Sequence, residues 1–67
     1  MNPVALYDKL TATYGVATMP PAKRQMAELI IANCLRDLTW WPGLARDIIQ
    51  DVQTALAKLR DTEDVLP

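Results

Sequence analysis

Histidine and phenylalanine are missing from this chain of 67 residues, cysteine occurs once and glycine only twice. Each shortage removes a class of function. Without histidine the usual general base near neutral pH is absent, and a zinc site would need an all-carboxylate shell that zinc rarely accepts. Cys34 has no second cysteine with which to close a disulfide, so the chain lacks the staple on which many small domains depend. Gly15 and Gly43 stand too far apart to form the glycine-rich loop that cradles phosphate. Charge of neither sign dominates: seven Lys and Arg stand against eight Asp and Glu, a net −1, without the positive excess that drives binding to a phosphate backbone. Long apolar runs are missing too. The most apolar stretch, residues 29–38, is broken by Asn33, Arg36 and Asp37, and the N-terminus lacks the basic start and apolar run of a signal peptide. These absences predict a cytoplasmic protein with no cofactor, no metal and no membrane span, its one cysteine kept as a thiol.

What is present is hydrophobic residue at helical spacing. The hydrophobic set makes up 51% of the chain, too much for disorder and generous for an interior this small. The chain is organised around Thr39-Trp40-Trp41-Pro42-Gly43. Pro42 restricts its own φ and pushes Trp41 out of the α region, so one helix ends before this point and another begins at it. Gly43 adds conformational freedom there, and at least one indole is expected to close the end of the core where the helices meet. Helix 1 is predicted over about residues 3–14, with Asn2 as N-cap, Pro3 in the first turn and Gly15 as the stop. Its stripe is Leu6, Tyr7, Leu10 and Tyr14. Met19-Pro20-Pro21 predicts a stiff, extended connector over residues 16–21.

Helix 2 is predicted over about residues 21–38. Met26, Ala27, Ile30, Ile31, Cys34, Leu35 and Leu38 spread over half its circumference, which requires either two neighbours in its own chain or one neighbour and a second copy. Helix 3, over about residues 42–60, gathers Ala45, Ile48, Ile49, Val52, Ala55, Leu56 and Leu59 on one narrow arc, with Arg46, Asp47, Gln50, Gln53, Thr54, Lys58 and Asp61 opposite. Acid at the C-terminal end opposes the helix dipole, so residues 61–67 are predicted to fray.

Chemistry is sparse. Asp47 and Asp51 stand one helical turn apart, yet no histidine, third carboxylate or apolar pocket accompanies them, and the pair reads as a solvated face. Cys34 lies among Ile30, Ile31 and Leu38 and reads as a small buried hydrophobe. Three short helices with a tight second turn also suit a helix-turn-helix regulator, but its recognition helix would open on Leu44, Ala45, Arg46 and Asp47, one cation beside one anion, with only Lys23 and Arg24 to touch phosphate. Nucleic acid is therefore disfavoured. The tandem tryptophans suit a membrane interface only beside a basic amphipathic helix, which is not present.

The sequence thus predicts a single all-α domain over residues 1–67: a short N-terminal helix followed by a hairpin of two longer ones, assembling as a bundle-like homodimer. The predicted function is non-enzymatic protein binding, as an adaptor or inhibitor of a larger partner, a role common among small phage and mobile-element regulators; a helix-turn-helix DNA-binding regulator is the alternative. The predicted contact surface is one ridge of helix 2, Leu29, Asn33, Arg36 and Trp40, with Met26 at its edge. A core ridge would not carry an arginine at its centre, and a solvated ridge would not carry leucine and tryptophan. The competing expectation is that helix 1 lies across this ridge, with Tyr7 or Tyr14 against the arginine.

Overall fold

The computed structural model of the chain describes residues 2–62. Among them every regular element is helical: α1 (Pro3–Thr13), a 3₁₀ turn (Val16–Thr18), α2 (Pro21–Trp40), a second 3₁₀ turn (Pro42–Leu44) and α3 (Ala45–Asp61). None of these helices is long and apolar enough to cross a membrane.

α1 begins where its cap chemistry places it. The Asn2 Oδ1 accepts from the amides of Val4 at 2.9 Å and Ala5 at 3.4 Å, satisfying two donors the first turn leaves open, while Pro3 at the first position has no amide to satisfy. The helix ends at Thr13, and Gly15 adopts φ 62°, the left-handed conformation that lets the chain turn away. An added Cβ here would also lie 3.3 Å from the Thr18 hydroxyl, which donates to the Gly15 carbonyl at 2.8 Å. Gly15→Ala should therefore cost about 1–2 kcal/mol and lower the melting midpoint by about 5–10 °C; an unchanged midpoint in a thermal scan would rule out the left-handed turn.

The connector differs from its expected extended form. Only Met19 and Pro20 are extended, with ψ near 150° (152° and 153°); Val16–Thr18 coils into the 3₁₀ turn and drops both Val16 and Met19 into the core. Burial of two apolar side chains outweighs the stiffness that the paired prolines impose, since that stiffness reaches only the residue before each proline.

α2 is the central element and touches every other one. Ala27 and Ile31 have no exposed surface and Cys34 is buried. The breadth of its expected apolar arc is used within the chain except at Met26, which is 54% exposed and lies outside the core. Leu35 meets α1 along a cleft shared with Pro3, Val4 and Tyr7, and Ile30 meets α3 along a groove shared with Ile48 and Val52. Val52 and Leu56 of α3 complete the buried cluster with Leu10, Val16 and Met19, and no polar side chain is buried among the described residues.

The junction of α2 and α3 departs from expectation in three ways. α2 runs to Trp40, two residues beyond Leu38, because the Trp41 amide still reaches the Asp37 carbonyl at 2.7 Å before Pro42 turns Trp41 out of the helical region, to φ −133°. Pro42–Leu44 forms a tight 3₁₀ turn, and α3 starts at Ala45. Gly15 is the only described glycine with positive φ, so the freedom of Gly43 is not what makes this turn. Neither indole closes the core: Trp40 is 71% exposed and Trp41 61%. The apolar space between these ends is walled instead by Leu38, Pro42 and Ala45 with Pro3 and Leu6 of α1, around a cleft of about 360 Å³.

At the other end Lys23, near the start of α2, donates to the Thr62 carbonyl at the end of α3, and the Arg60 guanidinium lies 5.6 Å from the Tyr14 ring centroid. Asp61 belongs to α3 rather than to a frayed tail. The Thr62 amide and hydroxyl both donate to the Lys58 carbonyl, the latter at 2.6 Å, and Lys58 and Arg60 in the last turn complement the dipole. The rest of the expected fraying, over residues 63–67, lies outside the described residues.

Candidate functional site

The ridge residues stand together on the outward side of α2, opposite the buried Ala27, Ile31 and Cys34. Helical spacing explains it: residues 26, 29, 33, 36 and 40 recur every three or four positions and fall on one side, and the core positions 27, 31, 34 and 38 fall on the other. Met26 is 54% exposed and Leu29 60%; Asn33 and Arg36 are exposed as well, and Trp40 is the most exposed large apolar side chain described. α1 does not cover them. Tyr7 lies with Leu35 on the flank of α2, and Tyr14 sits beneath Arg60, so neither tyrosine meets Arg36.

Arg36 is the one charge on this ridge. Its Nε lies 3.7 Å from Asp37 Oδ1, a loose neighbour contact with both side chains about half exposed or more, of the kind that stabilises little. Arg36 shares its exposed side of α2 with Leu29, Asn33 and Trp40.

Sequence reasoning missed how far the apolar surface extends. Trp41 at 61% and Leu44 at 52% are further exposed apolar side chains beyond the end of α2, and Val4 of α1 is exposed too. The one legible signal was Pro42, which forces Trp41 out of helical geometry and so off any helical wheel.

Of the clefts elsewhere, the one beside the Val16–Thr18 turn gathers Tyr14, Lys23 and Arg60, with Lys23 donating to the Thr62 carbonyl and Arg60 lying over the Tyr14 ring. The cleft at the junction is walled by Pro3, Leu6, Leu35, Leu38, Thr39, Pro42 and Ala45 and carries no ionisable side chain. The groove between α2 and α3, about 260 Å³, brings Asp37 and Asp51 near Cys34. Burial, and to a lesser degree the Asp37 carboxylate, push the Cys34 thiol pKa above its ordinary value. That holds the sulfur as a neutral thiol, the reverse of the activation a cysteine nucleophile needs. Asp47 and Asp51 are both exposed, and no group of three Cys, Asp or Glu side chains gathers among the described residues. On α3 the outward face alternates Arg46, Asp47, Gln50 and Gln53, mixed charge rather than a basic stripe. Compared with protein-family models, with curated proteins and with solved structures, the chain matches none.

Proposed function

We propose that this chain is a small, non-enzymatic protein-binding module: α2 and α3 form a hairpin, α1 braces it, and the outward ridge of α2 is its contact surface. The observation that carries the reading is the 71% exposure of Trp40 on the same uncovered helical side as Leu29 and Arg36. Leaving the Trp40 indole and the Leu29 side chain more than half exposed forgoes a large part of the burial energy of about 1.5–3 kcal/mol that each could contribute. A partner recovers it, and tryptophan and arginine are the side chains most often found at the energetic centre of an interface. The module acts as a cytoplasmic adaptor or inhibitor of a larger protein.

The test is affinity capture from the organism that encodes the chain, with bound protein and nucleic acid both identified. Trp40→Ala and Arg36→Glu should each weaken capture about thirtyfold, the loss of about 2 kcal/mol typical of an interface centre. Because both side chains are exposed, the melting midpoints should stay within a few degrees of the parent. Variants that melt far earlier, or that still capture the partner, would place the working surface elsewhere. Salt-dependent retardation of duplex DNA by the parent chain would instead favour the helix-turn-helix alternative.

A further inference from the structure

The outward side of α2 has more order than a patch. Ala22, Met26, Leu29, Asn33, Arg36 and Trp40 follow one another at intervals of four, three, four, three and four, and all six are exposed. That is the spacing of a coiled-coil seam, lying opposite the side that α2 turns to its own core. A helix does not need this second seam to hold its own fold. Resting on the reading of this surface as a contact site, we infer that its first occupant is a second copy of the same chain, with the two α2 helices antiparallel about a two-fold axis, and that the larger partner competes for the seam.

The seam is self-complementary in one orientation only. Run antiparallel in the register that centres the pair, Trp40 faces Ala22 of the second copy, Arg36 faces Met26, and Asn33 faces Leu29. The largest side chain meets the smallest, and the arginine stem lies along a flexible thioether. On one flank Ala32 meets Ala32 of the second copy, which permits close approach; on the other, Ile30 is already packed toward α3. Asp37 comes level with Lys23 of the second copy; that ammonium carries three donors and already holds the Thr62 carbonyl, so the opposite charges add to a fit that packing sets.

Run parallel, each residue faces its own copy. Arg36 would then oppose Arg36 and Trp40 would oppose Trp40, a like-charge contact and a crowded one in adjacent layers. In the parallel pair each Arg36 keeps its own Asp37 at 3.7 Å, a loose exposed contact that weakens the repulsion between the two guanidinium groups without removing it. Asn33 alone favours the parallel form, since paired asparagines set register there, and one amide pair does not offset facing cations.

Size sets the strength. α2 has 20 residues, so it is about 30 Å long, and a strip about 10 Å wide gives a footprint of about 600 Å² for two copies. That is below the roughly 1,000 Å² of a firm specific interface. The pairing is therefore weak and reversible, formed at high concentration and open to displacement by a partner that covers more of Trp41 and Leu44.

Cysteine pairing distinguishes the orientations. Leu29→Cys and Asn33→Cys are prepared separately, each checked for unchanged helical circular dichroism, then oxidised with a glutathione redox buffer alone and as an equimolar mixture. Antiparallel pairing places Cys at 29 against Cys at 33 of the other copy. The expected result is a disulfide-linked dimer at least tenfold more abundant in the mixture than in either variant alone, with the parent chain, whose Cys34 is buried, unlinked. Equal or greater linking of either variant alone overturns the antiparallel pair, and absence of linking in the folded mixture at the highest concentration overturns self-pairing altogether. The outcomes also separate this inference from the function proposed above. No linking, with capture still lost in Trp40→Ala, leaves the contact surface standing and gives the seam to another protein. Linking in the mixture, with capture intact in Trp40→Ala, keeps the dimer and removes the adaptor surface from this side.

Discussion

Leu56→Asp is expected to abolish the helical circular dichroism of the chain at room temperature. Leu56 has no exposed surface and lies in the cluster shared by α2, α3 and the Val16–Thr18 turn. A carboxylate placed there meets apolar side chains only, because no polar side chain is buried among the described residues. Whether it stays charged or takes up a proton, the cost is several kcal/mol, against a total stability of about 5 kcal/mol for a domain of this size. The balance passes to the unfolded state. Val52→Asp, one turn earlier on the same side of α3, should behave alike. A cooperative melt at the parental midpoint in either variant would mean that α3 does not present this face to α2.

The second large effect separates the two sides of one helix. Ile31→Ala removes a fully buried side chain at the centre of α2, between α1 and α3, where neighbours held by two other elements cannot collapse into the space. The expected cost is about 2–5 kcal/mol, enough to lower the melting midpoint by more than about 10 °C in a domain this small. Leu29→Ala, two residues earlier and 60% exposed, should shift stability by less than about 0.5 kcal/mol. The contrast is the informative measurement, since the two substitutions remove comparable apolar volume from the same helix. Equal losses would show that the outward side is packed against something, and a large loss only at Leu29 would reverse the assignment of faces.

Much of this arrangement was legible in the residues. The stripe of α3 was clear because its polar and apolar residues segregate cleanly, so periodicity alone identifies Val52 and Leu56 as core. Asn2 before Pro3 and Gly15 after Tyr14 marked the ends of α1 through local chemistry, a side-chain acceptor and a left-handed backbone. The positions Leu29, Asn33, Arg36 and Trp40 are exposed on one side of α2, a grouping that needs only the helical repeat, whereas Met26, counted in the apolar arc as well as at the edge of this ridge, is exposed with them.

What periodicity could not show was which apolar residues find a neighbour. Val16 and Met19 lie in a segment with no regular repeat, and only the way the 3₁₀ turn folds under α1 and onto α2 buries them. The two indoles were expected to seal the junction because tryptophan is large and apolar, yet Leu38, Pro42 and Ala45 wall it with Pro3 and Leu6 of α1. Local sequence by itself determined that three helices form, where α1 is capped, and which face of α3 is apolar, because those depend on contacts a few residues apart. The tertiary structure alone decided that α1 braces the flank of α2 at Leu35 instead of crossing the outer ridge, because that choice depends on how three apolar stripes share one small core.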